Sequence, residues 1–291
     1  MKALQGVGVA LITPFKSDLS LDIPALKKLV EHVSTGGVNY LVVMGTTGES
    51  PVCSPEEVNL ILHTVQEANS RNLPIVLGLG GNYTQGVSQK IQSLQTHGIT
   101  AILSVSPYYN KPNQEGIFRH YTALADQSQI PLILYNVPGR TGSNMTVETT
   151  LRLSEHPNII GVKEASGNLD QCMEILQNKP HDFMVISGDD ALTFPYITLG
   201  MQGVISVIAN VLPHMFSNMV HASMEQNIDQ ARKLHYALLP IMNLIFADGS
   251  PSGVKVISQE IGIGTDSVRP PLFTVNDKVR EQILQAFKVL Q

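Results

Sequence analysis

Residues 40–65 read Tyr-Leu-Val-Val-Met-Gly-Thr-Thr-Gly-Glu-Ser-Pro-Val-Cys-Ser-Pro-Glu-Glu-Val-Asn-Leu-Ile-Leu-His-Thr-Val. The run Tyr40–Met44 is continuously apolar and β-rich, as a strand covered on both faces must be. Ser54 then offers a cap, Pro55 a first-turn proline, and Glu56 and Glu57 acidic residues ahead of the helical spacing of Val58, Ile61, Leu62 and Val65. The stretch therefore reads as one strand, one polar turn and one helix.

The same alternation recurs. Apolar runs stand at Gly6–Ile12, Tyr40–Met44, Ile75–Leu79, Ala101–Val105, Leu132–Tyr135, Ile159–Val162, Phe183–Ser187 and Gly203–Val207, with helix-like spacing between them. Eight βα repeats predict a closed α/β fold, a (β/α)8 TIM barrel. An open doubly wound sheet would carry a glycine-rich phosphate loop after its first strand, where this chain has Thr13-Pro14-Phe15. The glycines at 78–81 lack a following Gly-Lys-Ser/Thr and read as a tight turn. Ile228–Phe246 and Asp277–Leu290 read as helices with no further strand, so the expected division is a catalytic barrel over 1–224 and a C-terminal helical extension over 225–291.

Composition marks a chain that buries much of its length: 43% of the 291 residues are hydrophobic and 15% charged. A net charge of −5, with no basic stripe, argues against nucleic acid as a partner. The apolar run at Val7–Ile12 is too short for a membrane span or signal segment. Cys53 and Cys172 are too few for a disulfide framework, so the expected location is cytoplasmic.

In such a barrel the chemistry sits at the C-terminal ends of the strands. Those ends carry Gly45-Thr46-Thr47-Gly48-Glu49, Ser106-Pro107-Tyr108-Tyr109-Asn110, Tyr135-Asn136-Val137-Pro138-Gly139-Arg140-Thr141 and Lys163-Glu164. Of the twelve lysines, Lys163 alone directly terminates an apolar strand. A desolvated amine there can attack a carbonyl and form a Schiff base with a small 2-keto acid; the bland alternative is a lysine paired with Glu164. Lys255 is the nearest rival, expected to carry its charge to water from the helical extension. Tyr135, Tyr109 and Thr46 can pass protons. The Thr46-Thr47-Gly48 turn offers hydroxyls and N–H groups to a carboxylate, and Arg140 offers a bidentate grip on a second.

Together GTTGES (45–50), SPYYNKP (106–112), YNVPGRTG (135–142), GVKEASG (161–167) and SGDD (187–190) resemble the dihydrodipicolinate synthase group of the N-acetylneuraminate lyase family, across almost the whole chain. The resemblance implies that Lys163 holds pyruvate as an imine whose enamine attacks L-aspartate 4-semialdehyde, in the diaminopimelate route to lysine. No metal or organic cofactor is implied. It implies Tyr135 as general acid/base, with Thr46 and Tyr109 completing a relay, Tyr109 coming from a neighbouring subunit. It places Thr47 on the pyruvate carboxylate, Arg140 on the semialdehyde carboxylate, and Gly188 and Ile205 at backbone contacts near the imine. A homotetramer, as a dimer of dimers, is expected, a dimer being the alternative.

One departure concerns feedback. Relatives inhibited by lysine use histidines in the helix after GTTGES and an acidic residue beyond the asparagine that follows strand 3; Pro55, Val58 and Gly86 stand there, although Asn82 and Tyr108 remain. Lysine feedback is therefore expected to be weak or absent. Within the family, an N-acetylneuraminate lyase or a 2-keto-3-deoxy sugar-acid aldolase shares the lysine and tyrosine, but the double threonine and Arg140 favour the smaller anionic acceptor. A non-catalytic keto-acid-binding barrel would not need the four catalytic residues together. A metal-dependent aldolase is disfavoured because the nine histidines form no HxH or HExxH spacing and Asp189-Asp190 read as helix caps.

Overall fold

The computed structural model describes residues 2–291. Its strands are β1 (Gly6–Ala10), β2 (Tyr40–Val43), β3 (Ile75–Gly78), β4 (Ala101–Val105), β5 (Leu132–Asn136), β6 (Ile159–Glu164), β7 (Met184–Ser187) and β8 (Gly203–Ser206). Each pairs in parallel with the next in chain order, and β8 returns to β1. The expected (β/α)8 barrel is the observed fold.

Around it lie α1 (Ile23–Thr35), α2 (Pro55–Ala68), α3 (Thr84–Gln92), α4 (Gln114–Gln127), the one-turn α5 (Pro138–Thr141), α6 (Val147–Ser154), α7 (Leu169–Asn178), α8 (Thr193–Thr198) and α9 (Pro213–Met224). The extension adds α10 (Ile228–Leu244), α11 (Ser252–Glu260) and α12 (Asp277–Lys288). Helix α2 begins as its sequence predicts: the Ser54 hydroxyl accepts from the Glu57 N–H, and the Glu57 carboxylate accepts from the Ser54 N–H. Helix α11 was not anticipated, because it is short and its buried positions include Ser252, Gly253, Lys255 and Ser258 beside Val254, Val256 and Ile257.

Alternate strand residues serve two cores. Leu41 and Val43 pack outward with the helices, together with Val33, Ile61 and Val65. Tyr40, Val42, Val76, Leu103, Ile133, Tyr135, Ile186 and Ile205 form a separate cluster drawn almost wholly from strands, which is the barrel interior. Tyr40 crosses that interior, its hydroxyl donating to the Val204 carbonyl at 3.3 Å, and its ring lies where a side chain at position 8 would begin, so Gly8 makes room for it. The outer core is continuous with the extension: Leu238, Ile241, Val254, Ile257, Ile283 and Phe287 belong to the same cluster as the β1 and β2 outward residues. No helix of the described residues is long and apolar enough to cross a membrane.

Candidate active site

Strand β6 runs two residues beyond its apolar stretch, so Lys163 lies within the ladder, flanked in register by Tyr135 of β5 and Ile186 of β7. Directly opposed residues of parallel strands share a face, and both neighbours belong to the interior cluster. Lys163 therefore points into the barrel. It is 6% exposed, and its Nζ lies 4.3 Å from the centroid of the Tyr135 ring, which is itself 7% exposed. A cation above an aromatic face is held by the ring quadrupole.

Glu164 faces the other way. Its carboxylate accepts from Asn136 Nδ2 at 3.0 and 3.2 Å, from the Ser166 N–H at 2.7 Å and from Gln171 Nε2 of α7 at 3.1 Å. Alternation along the strand thus sends the carboxylate to the helix layer, and the pairing of Lys163 with Glu164 does not occur. None of the ion pairs among the described residues involves Lys163. Asn136 also accepts from the Met145 N–H at 3.0 Å and donates to Asn144 at 2.8 Å, tying the loop that carries Arg140 to the lysine strand.

Gly188, just past β7, leaves space beside the lysine: a Cβ there would meet Lys163 Cε at 3.0 Å and Ala165 Cβ at 2.6 Å. Ile205 is buried in β8 within the interior cluster. Thr46 and Thr47 form one turn of 3₁₀ helix after β2, bracketed by the left-handed residues Met44 and Glu49; Thr47 is buried and Thr46 exposed. The turn is tied down by the Thr13 hydroxyl, which donates to the Gly48 carbonyl at 2.6 Å. Arg140 lies exposed on α5 at the end of β5. Tyr109 follows β4 at a φ of 73° and is 86% exposed, so its ring stands outside the enclosed lysine–tyrosine pair of the single chain. The structure thus brings Lys163, Tyr135 and Gly188 together and leaves Thr46, Arg140 and Tyr109 exposed on the segments that follow β2, β5 and β4.

Two expectations are corrected. Lys255 does not reach water: it is fully buried and its Nζ lies 2.5 Å from Glu49 Oε1, because α11 lies against the β2 turn rather than on the surface. Asp189 caps the turn after β7, accepting from the Ala191 and Leu192 N–H groups, but Asp190 does not cap the following helix. Its Oδ2 accepts from Val207 and Ile208, at 3.0 and 2.8 Å, and so holds the end of β8. Burial pushes the Asp190 carboxyl up to about 6. The sequence reading assigned no task to Glu49, Asn136 or Gln171; the available signal was a charge and two amides at strand ends or on the strand-facing side of a helix, where unpaired polar groups are costly.

The model of the dihydrodipicolinate synthetase family matches residues 3–290. The 4-hydroxy-tetrahydrodipicolinate synthase of Flavobacterium psychrophilum is 50% identical over 284 residues, covering 97% of each chain, and that of Parabacteroides distasonis is 50% identical over 287, again covering 97% of each. Among solved structures, dihydrodipicolinate synthase from Thermotoga maritima superposes with a TM-score of 0.95 at 34% identity, covering 98% of each chain. A pyruvate complex of the enzyme from Acinetobacter baumannii gives 0.95 at 36% identity, also covering 98% of each. Sequence, barrel and the lysine strand agree, and the chain belongs to the dihydrodipicolinate synthetase family.

Proposed function

We propose that the chain is a Schiff-base-forming lyase with 4-hydroxy-tetrahydrodipicolinate synthase activity, condensing pyruvate with L-aspartate 4-semialdehyde in diaminopimelate and lysine biosynthesis. The observation that carries this reading is the enclosed Lys163, laid against Tyr135 with its adjacent carboxylate turned away. Its amine attacks the keto carbon of pyruvate, and water leaves to give the imine; loss of a methyl proton then gives the enamine that attacks the aldehyde carbon. Cyclisation onto the former keto carbon, alongside transimination, frees the lysine.

In this reading Tyr135 is the general acid/base, and Thr46 and Tyr109 extend the proton path to solvent. Thr47 holds the pyruvate carboxylate, Arg140 the carboxylate of the semialdehyde, and the backbone at Gly188 and Ile205 flanks the imine. The exposure of Tyr109, held at a left-handed φ, supports its delivery into the site of a neighbouring subunit. The working molecule is then a homotetramer built as a dimer of dimers, with residues 1–224 as the catalytic barrel and 225–291 as an extension. A cytoplasmic location is supported by two free cysteines.

Incubation with pyruvate and borohydride, followed by intact mass and peptide mapping, tests this directly. A reduced pyruvyl adduct on Lys163, absent in Lys163→Ala, is expected, together with turnover of the semialdehyde and none of sialic acid or keto-deoxy sugar acids. Folded wild-type protein that forms no adduct refutes the imine mechanism. An adduct with turnover only of sugar acids assigns the chain to an aldolase instead.

A further inference from the structure

The turn that carries Thr46 and Thr47 ends at Glu49, a residue with a long side chain held at φ 55° and ψ 36°. Left-handed backbone at a residue with a Cβ is disfavoured and persists only where the surroundings hold it. Here the holding groups come from the far end of the chain. Glu49 Oε1 meets Lys255 Nζ of α11 at 2.5 Å, and Oε2 accepts from the Arg269 N–H at 2.9 Å. Both side chains of the pair are wholly buried. Lys255 Nζ also donates to the Ser267 carbonyl at 2.7 Å and lies 4.5 Å from the centre of the Phe15 ring.

Arg269 extends the connection. Its guanidinium lies 4.3 Å from the centre of the Phe15 ring, donates to the Leu19 and Val52 carbonyls, and grips Glu57 at both oxygens, 2.6 and 2.7 Å away. That grip holds the Glu57 carboxyl down to about 2. The segment between the catalytic turn and α2 is therefore bound at both ends by the extension: at Glu49 through Lys255 and the Arg269 backbone, at Glu57 through the Arg269 guanidinium. Lys255 is drawn in two directions, burial lowering its pKa and the touching carboxylate raising it, with burial prevailing. A buried pair of this kind is weak evidence for stability, since removing one partner strands the other while replacing both is often tolerated. Its placement one residue beyond the turn gives it a different use.

We infer that Glu49 and Lys255 are positioning residues for the reaction, fixing the Thr46–Thr47 turn at the end of β2 so that the C-terminal extension supports the active site. This rests on the reading of Thr47 as the anchor of the pyruvate carboxylate and Thr46 as a proton carrier. When the pair is lost, Glu49 is free to leave its left-handed conformation, and the peptide before it turns the two threonines out of line. A displacement of about 1 Å at a positioning group lowers turnover by up to roughly a hundredfold. The loss falls on pyruvate, whose carboxylate the turn holds, rather than on the semialdehyde, held from Arg140 on another loop.

The test uses the full-length chain as Glu49→Gln, Lys255→Met and the charge-neutral double variant, assayed per folded site at a temperature well below each melting point. The expected result is a kcat/KM for pyruvate lowered roughly 10- to 100-fold, with imine formation on Lys163 slowed in the same proportion and the KM for the semialdehyde unchanged. Lower melting points with unaltered kinetic constants, or a semialdehyde KM raised as much as that for pyruvate, overturn the inference. A second measurement needs no variant: by reciprocity of coupled sites, pyruvate trapped on wild-type Lys163 slows amide exchange across 252–269. Unchanged exchange there, with the adduct formed, refutes the coupling. Absence of the adduct in wild type refutes the underlying pyruvate reading instead, so the two failures are told apart.

Discussion

Lys163 and Glu164 are neighbours in the chain and occupy opposite sides of the barrel wall, one in the apolar interior and the other among the amides of Asn136 and Gln171. A second buried carboxylate, Asp190, makes a measurable prediction. Its folded-state value of about 6 lies above the usual aspartate value near 4, so the folded chain binds this proton more tightly than the unfolded chain does. The stability linked to it is full below about pH 4 and is lost as pH rises through about 6. Asp190→Asn keeps an acceptor for Val207 and Ile208 and cannot titrate. Its melting temperature relative to wild type should therefore climb between about pH 4 and 7; a constant difference across that range refutes the assignment. Lys163 was legible in the sequence because it ends an apolar run. Lys255 was not, since the partner that buries it stands 206 positions away.

At the scale of elements, all eight strands were legible because doubly covered strands are continuous in apolar residues, and only their ends moved, as at β6, where Lys163 and Glu164 extend the ladder. Closure is a matter of fit rather than of hydrophobic pattern. At the seam Gly6 opposes Gly203, whose φ is 152°, and a Cβ on Gly203 would stand 2.1 Å from the Gly6 carbonyl oxygen. Both the backbone conformation and the contact exclude a side chain. Gly203→Ala should lower unfolding free energy by about 3 kcal/mol or more, or abolish folded protein. Gly139→Ala, with nothing within 4 Å of the added carbon, should be neutral within about 0.5 kcal/mol in the same urea titration. Equal effects of the two substitutions would remove the seam from the account of closure.

For the whole molecule, the expectation of weak lysine feedback turns on the surface that bears Asn82, Tyr108 and Gly86. Asn82, one of the two residues expected to remain from such a site, donates to the Tyr108 carbonyl at 3.1 Å. Position 86 offers no carboxylate, and the space a side chain would enter there is filled by Tyr83, 2.8 Å from where a Cβ would lie. A cationic amino acid finds no counter-charge at that position, and submillimolar lysine should leave the initial rate unchanged. Strong inhibition in that range overturns this expectation. Assembly was the least legible property, because a tyrosine exposed in one chain and buried in an oligomer has the same sequence in both.

The pairing of Glu49 with Lys255 also orders events during synthesis. A ribosome adds about 5 to 20 residues per second, so the carboxylate is made roughly 10 to 40 s before the ammonium that neutralises it. In that interval the first βα units can form their hydrogen bonds, but Glu49 lacks the counter-ion that it has in the folded chain. On the proposed reading, a keto acid that meets the growing chain finds the Thr46–Thr47 turn without the support that Lys255 gives it in the folded chain. The support of that turn therefore arrives late, with the C-terminal extension that carries Lys255 and Arg269.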